Sequence, residues 1–554
     1  MVYCYICKQI IIIRERNIFI CAPISYKGVF MKKKNFIFIS ICLIGITLLL
    51  FFLFIHKNSS KNTYPTAKIP SNYKINKATQ GEANEANYSK LFNTENIETV
   101  KINISKKNLN YLLDNALDTP TVLANSISIG NNKINYVGIR TKGNSTLRNV
   151  HDDNSNRFSF SINFGKYIKK SEYGEKQNFY GLHKISLNNM YGDATLLKEY
   201  LSYKLMTDMN IPTPYYALVN LYINDENYGL YLLLENIDEA LINRTLKEEG
   251  GLLCKPELPG SDLLCAKDYN SFDISSTDYK DNDIYKDYLG IWDNVNEGID
   301  INNYKKSEKI KLNNQINSTI EWIKNLNLLS SSESCNTAEY KSSLEKLIDV
   351  DEVIRYFAVN TYLVNLDSYQ SGKAHNYALY LNNVARIIPW DYNYSFGNYG
   401  TTEATDMVNF DIYNPLIDVD ISKRPLLNVI LKNSDYRALY KKYLEDCVII
   451  TTKGGQTSDN KSYAPNNYIN TISNIKSKLL DKYTNNSCFY KKKDFLIATD
   501  GLTQLIIARS LSVDKQLNGD TTPVDIDIDM TDLGKSTAST YADFNLSNPF
   551  NKNY

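Results

Sequence analysis

The sequence predicts an α+β chain of two lobes, a β-rich first lobe and a helical second lobe, behind a single apolar N-terminal helix. Three observations carry that reading. Short β-branched runs broken by Asn/Gly turns fill residues 100 to 164, apolar residues recur at helical spacing through the second half, and Phe36 to Ile55 is an unbroken run of 20 uncharged residues.

At about 1.5 Å of rise per residue, the apolar run just crosses a hydrocarbon core ~30 Å thick. Met31-Lys32-Lys33-Lys34 precedes it and sets an N-in, C-out orientation. No small-x-small pattern occurs in residues 54 to 60, and the run is longer than a signal-peptide core, so 31–55 reads as a retained anchor. Residues 1–30 read as an extension ahead of a start at Met31, since codons for Lys27-Gly28-Val29 can spell a ribosome-binding site. A cytoplasmic tail carrying Cys4 and Cys7 is the alternative. Residues 56–90, rich in Asn, Ser, Lys and Pro, read as a flexible linker, and the folded part is expected from about Leu91 to 517. Within it, about 267–317 reads as a polar insertion, and 518–554 as a loosely ordered polar tail.

Lys+Arg total 62 against 61 Asp+Glu, so no global field favours nucleic acid, and any phosphate site must be local. Beyond the apolar run, Cys254, Cys265, Cys335, Cys447 and Cys488 are too widely spaced for a zinc site or a dense disulfide framework. Cys254 and Cys265 either pair in an oxidising compartment or stay buried thiols.

Ser126 to Gly130 and Phe158 to Phe164 have the alternation of antiparallel strands. From Asp193 to Met209 the period becomes helical, with Leu197, Leu201 and Leu205 on one stripe, Asp193 as N-cap and Pro212 beyond the end. Ala217 to Ile223 and Gly229 to Glu235 follow as strands joined through Asn224-Asp225-Glu226-Asn227. Val350 to Leu366 and Arg437 to Ile450 read as helices of the second lobe.

Chemistry concentrates in two segments, Asn365 to Tyr377 and Arg386 to Gly397. A helix delivers Asp367 into a polar loop, and a strand delivers Asp391 before a turn. Phosphoryl transfer needs such a pair, because one carboxylate must orient and deprotonate the acceptor hydroxyl while another holds the metal that neutralises phosphate charge. Asn376, an oxygen donor between them, suits a second metal contact. His375 is expected to hydrogen-bond the loop rather than act as a base. The four histidines form no H-x-x-x-H or H-E-x-x-H, and no G-x-S-x-G is present, which argues against metalloprotease and serine hydrolase chemistry.

Five segments in order then resemble the spore coat protein H (CotH) kinase family: Gly138 to Thr146, Phe179 to Asn189, Leu221 to Glu235, Asp367 to Tyr380, and Pro389-Trp390-Asp391 with Phe396-Gly397. The resemblance spans roughly residues 95 to 515. It implies a divergent protein-kinase-like fold, with Asp367 in the catalytic-loop role and Asp391 as the metal-binding Asp. It also implies that Lys184 meets the nucleotide phosphates, oriented by an ion pair with Glu199, and that Glu235 sits at the adenine-side hinge. Arg140 and Lys142 would add positive charge over the phosphates. The sequence departs from ordinary kinases in having no G-x-G-x-x-G, and in placing Gly372, not Asn, five residues after Asp367.

The expected protein is therefore a kinase using ATP with Mg²⁺ or Mn²⁺, phosphorylating Ser or Thr of spore-coat or cell-surface proteins, held in a membrane through residues 36–55 with its catalytic domain extracytoplasmic or in the spore envelope. A non-catalytic binding module (a pseudokinase) and a small-molecule phosphotransferase are the alternatives.

Overall fold

A computed structural model describes residues 68–257, 260–264, 305–399, 403–484 and 488–534. The proposed anchor and N-terminal extension lie outside them, as does most of the expected insertion. Seven strands come first: β1 (Glu98–Asn103), β2 (Val122–Ile129), β3 (Asn132–Lys142), β4 (Ser159–Asn163), β5 (Lys184–Asn188), β6 (Tyr216–Ile223) and β7 (Glu226–Glu235). They close into a barrel in the order β1-β2-β3-β4-β5-β7-β6, antiparallel except where β1 lies parallel to β6. Inward residues such as Ile139, Phe160, Ile185, Leu187, Val219 and Leu233 fill its interior, as a barrel of this size requires.

The barrel is apolar on its outer side as well where helices cover it. Along β7, Tyr231 and Leu233 point inward while Leu230, Leu232 and Leu234 join the second core outside, which explains the uninterrupted apolar run there. Helix α1 (Lys198–Asp208) contributes Leu201 and Leu205 to that outer core. β6 and β7 are joined by two residues only, Asn224 and Asp225, with φ of 48° and 67°, the tight turn that suits two twisted strands.

Helix α2 (Glu239–Leu246) and β8 (Leu252–Cys254) lead out of the strand-rich region. The rest is mainly helical, with α3 (Lys306–Ser331), α4 (Val350–Tyr362), α5 (Ser434–Val448) and α6 (Lys492–Leu517) around a core in which α4 is nearly all buried. β9 (Tyr377–Leu381) and β10 (Ala385–Pro389) form a small sheet with β8. Helix α6 is long and apolar enough to cross a membrane, but it is a core helix, with Leu502, Leu505 and Val513 buried.

Several boundaries differ from the sequence reading. α1 begins at Lys198 because Leu196 adopts φ 58°, so Asp193 receives the N–H groups of Thr195 and Lys198 across a turn instead of capping a helix. Two helices, Lys106–Asp114 and Ser145–Asp152, interrupt the stretch read as pure sheet. Order begins before Leu91: Tyr88 is fully buried, and the backbone at Glu82 and Ala83 passes so close to Gly181 (φ 94°) that a side chain there would clash. At the other end, residues up to 534 pack back, with Met530 and Leu533 buried and the Lys198 ammonium donating to the Leu533 carbonyl at 2.6 Å. Residues 306–317, read as insertion, open α3. Cys254 is a buried free thiol, and Cys265 lies outside the described residues.

Candidate active site

Helix α4 stops at Tyr362, Val364 turns left-handed (φ 48°), and the chain enters the loop that carries Asp367. The loop is clamped from below. The Gln370 amide donates to Thr361 Oγ1 (3.1 Å) and the Pro415 carbonyl (2.7 Å), and the Arg424 guanidinium donates to the Tyr369 (2.7 Å) and Ser371 carbonyls. Ala374 and Asn376, with φ of 47° and 57°, turn the chain back on itself. His375 Nε2 thereby comes to 2.6 Å from Asp367 Oδ1, and Asn376 Nδ2 donates to the Asp367 carbonyl (2.8 Å) and Oδ2 (3.0 Å). Both partners of that nitrogen are acceptors, which sets the amide orientation and leaves Oδ1 of Asn376 as its acceptor.

Burial pushes the Asp367 pKa up, yet the charge and hydrogen bond of His375, aided by Lys373 and Asn376, bring it below the ordinary Asp value. Burial lowers the His375 pKa in turn, but Asp367 and then Glu257 raise it above its usual value overall. Glu257 Oε2 lies 3.8 Å from His375 Nδ1.

Asp391 follows β10 in a left-handed conformation (φ 62°), and its N–H donates to the Tyr203 hydroxyl at 3.1 Å. The turn beyond it is tied to the Asp367 loop by N–H bonds from Phe396 and Gly397 to the carbonyls of Leu363 and Val364. Ser395 meets Ser202 at 2.8 Å. Glu199, Ser202 and Tyr203 stand at i, i+3 and i+4 on α1, so one stripe of that helix faces this turn. Asp367 and Asp391 stand on loops tied together by the Phe396 and Gly397 bonds, and both charges act on Tyr394 and on Glu257.

The basic group brought to this point is Lys142, at the end of β3. Its ammonium donates to Asn188 Oδ1 at 2.7 Å, and Asn188 Nδ2 donates to both oxygens of Glu199 at 3.0 and 3.2 Å. Lysine and glutamate are thus joined through an amide. Burial, then the Asp391 charge, pushes the Glu199 pKa up to about 7. Burial lowers the Lys142 pKa against the opposing pull of Asp391 and Glu199. Lys142 and Lys255 both lie over the Trp390 ring, 5.3 and 5.0 Å from its centre.

The groups that act on Glu199 are Asp391, the Asn188 amide, Lys142 and Asp193, and Lys184 stands at the other end of β5 from Asn188. Strand alternation puts Lys184, Ser186 and Asn188 on one face, but Lys184 is four residues from Asn188, ~13 Å along the strand, and its charge is felt by Asp238. Arg140 shares the face of Lys142, beside Ser161, and bonds the Thr141 carbonyl. Glu235 ends β7 as expected by position. Its carboxylate is buried against Arg244 (2.5 Å) and the Tyr215 N–H (3.0 Å), with a pKa raised to about 6 by burial. Sequence reasoning passed over Asn188, Tyr203, Lys255 and Glu257. Asn188 sits inside a quoted motif, and the i+4 spacing from Glu199 pointed to Tyr203, whereas Lys255 and Glu257 have no local signal.

The CotH kinase protein family matches residues 139–453, more than half of the sequence and including all the groups above except those of the barrel's first strands and the C-terminal helices. The chain belongs to the CotH kinase family. It is therefore kinase-like. The inner spore coat protein H of Bacillus subtilis (strain 168) is 25% identical over 295 residues, covering 52% of this chain and 68% of that protein. A solved complex of HipA, HipB and operator DNA from Shewanella oneidensis MR-1 is 11% identical, with 62% of this chain and 61% of that chain covered at a TM-score of 0.28.

Proposed function

We propose that this CotH-family chain transfers the terminal phosphoryl group of ATP to Ser or Thr hydroxyls of proteins. The observation that carries the reading is the meeting of two differently held carboxylates, Asp367 and Asp391, with the Lys142–Asn188–Glu199 chain at one point of the fold. Asp367, ionised and with oxygens already bonded to His375 and Asn376, keeps lone pairs that accept and orient an acceptor hydroxyl. It takes the proton as transfer proceeds. Lys142, with Arg140 along the same strand face, supplies positive charge for the phosphates where a glycine-rich loop is lacking.

Among the described residues no three His, Cys, Asp or Glu side chains group into a ready-made cage for a metal. The residues fit an Mg²⁺ or Mn²⁺ ion of the kinase kind, which takes one or two protein oxygens and completes its shell with phosphates and water. Asp391 and Oδ1 of Asn376 would hold it, and it would neutralise the charge on the transferring group. The acceptors we propose are coat or cell-surface proteins, in keeping with the spore-coat relative and an extracytoplasmic or spore-envelope setting behind residues 36–55.

Incubation of the full chain with radioactive ATP, Mg²⁺ or Mn²⁺ and coat extract tests this. Label is expected in protein. Label appearing only in a small soluble product would make the acceptor a small molecule, and none at all would leave a binding module.

A further inference from the structure

Asp367 is hydrogen-bonded by a histidine that has a second carboxylate near its other nitrogen. His375 places Nε2 on Asp367 Oδ1 at 2.6 Å, while its other nitrogen, Nδ1, faces Glu257 Oε2 at 3.8 Å. Glu257 comes from the segment after β8, far from the Asp367 loop in sequence, so the contact joins two parts of the chain. The imidazole is mostly buried, its side chain 21% exposed, and it leads away from the Asp367 oxygen that Asn376 occupies. A backbone in the left-handed region at both Ala374 and Asn376 is what turns the ring toward Asp367. Such backbone strain persists only where the surroundings enforce it. Asn376 already suffices to hydrogen-bond the loop to the Asp367 carbonyl at 2.8 Å.

We propose that His375 is a positioning residue that aims the Asp367 carboxylate at the acceptor hydroxyl, and that Glu257 orients the His375 ring. The inference rests on the phosphotransfer reading. A carboxylate that must meet a hydroxyl in line with a phosphoryl group loses effect steeply when it rotates, because misplacement by about 1 Å costs on the order of a hundredfold. The Asp367 carboxylate is a rigid plane held at both oxygens, by Asn376 on Oδ2 and His375 on Oδ1, and without His375 its rotation is restrained from one side only. Glu257 acts one step further out, so its loss is smaller and passes through His375.

The test uses the full chain with ATP and a phosphorylatable acceptor. His375→Ala should lower kcat roughly ten- to a hundredfold while KM for ATP stays within about twofold. His375→Gln, whose Nε2 occupies nearly the place of the ring nitrogen, should restore much of that loss, and His375→Asn, whose nitrogen stands nearer Nδ1, should not. Glu257→Gln should cost several-fold in the wild-type background and nothing further in His375→Ala. An unchanged kcat in His375→Ala overturns the proposal, as does a rise in KM for ATP with kcat unchanged, or equal costs of Glu257→Gln in both backgrounds. If His375→Ala does not fold, the Gln and Asn variants carry the comparison. Wild-type chain that transfers nothing removes the phosphotransfer reading and this proposal with it. Failure of the proposal alone shows as full transfer in His375→Ala beside lost transfer in Asp367→Asn.

Discussion

Asp367 and Asp391 come to the same place by opposite means. Asp367 is supported from its own loop, by side chains eight and nine positions later, one of them His375, whose pKa Asp367 raises. Asp391 hangs from Tyr203, 188 positions earlier, and a neighbouring carboxylate, Glu199, is raised in pKa by burial and by Asp391 itself. One side of the cleft is compensated within a single loop. The other sets Asp391 and Glu199 against Lys142, with Lys255 and Arg140 close enough to act on that lysine, so its charges are gathered from widely separated segments of the chain.

The largest effects expected are those that separate the two carboxylates. Asp367→Asn keeps size and hydrogen-bonding capacity, so nucleotide binding should survive while transfer falls by a factor on the order of 10² or more. Asp391→Asn removes an anionic oxygen donor, so metal-ATP affinity should fall together with turnover. Calorimetric titration of metal-ATP into both variants, beside a transfer assay, checks the difference. Equal behaviour of the two would erase the contrast between them.

A stability measurement sharpens the same contrast. Glu199 has a folded pKa of about 7 against an ordinary value of 4.5, so the folded state holds its proton more tightly than the unfolded chain. Its contribution is intact below about pH 4.5 and is lost as pH rises to about 7, at most ~3 kcal/mol at 1.36 per unit. Asp391, Lys142 and Asp193 are the charges that act on it, with the Asn188 amide on its oxygens. Glu199→Gln of the nucleotide-free protein should therefore gain stability relative to wild type at pH 8 and little at pH 5. Parallel melting curves against pH would place the strain elsewhere.

Legibility in the sequence follows the same division. The Asp367 loop could be read because its parts are local, a helix followed by a polar loop with His-Asn within one segment, although its left-handed residues Ala374 and Asn376 could not. The strand that delivers Asp391 was readable too, but not Tyr203, because helical spacing names a face without naming what it meets. The closing of the barrel was not visible either, since the parallel pairing of β1 with β6 joins residues 121 positions apart, beyond any periodicity. The choice of lysine illustrates the limit most sharply. Lys184 and Asn188 share a face of β5, and alternation alone cannot say which end of a strand lies at the site. Helix and strand periods fixed the kind of element well and its ends less well, as α1 shows, because Leu196 in a left-handed turn leaves no pattern in hydrophobicity.

Lys142 and Lys184 can be set against each other directly. Lys142→Ala removes the ammonium bonded to Asn188 and should lower transfer by roughly ten- to a hundredfold with weakened ATP binding, as loss of a phosphate-facing charge does. Lys184→Ala should change transfer less than about twofold, the result for a residue whose strand position lies ~13 Å from that of Asn188. The assay is initial rate against ATP concentration. A reversed ranking would return the phosphate role to Lys184 and demand that β5 slide or the cleft rearrange on binding.

The smallest effect tests the longest connection. Tyr203 is buried, stacked against Tyr216 and tilted against Tyr392, and its hydroxyl accepts the Asp391 N–H at 3.1 Å. Tyr203→Phe keeps the ring packing and removes the hydroxyl, which accepts from the Asp391 N–H and also bonds Glu199, leaving a backbone N–H beside the site unpaired. The expected cost is about 1 kcal/mol of stability, and because the lost bond fixes the backbone of Asp391 and not of Asp367, it should appear as weaker metal-ATP binding with kcat at saturation nearly kept. Melting and metal-ATP titration of this variant, compared with Glu257→Gln, decide the point: if the asymmetry between the two carboxylates is real, Tyr203→Phe changes binding, Glu257→Gln changes turnover, and a variant that changed both equally would mean that the two loops, tied together through Phe396 and Gly397, move as one body.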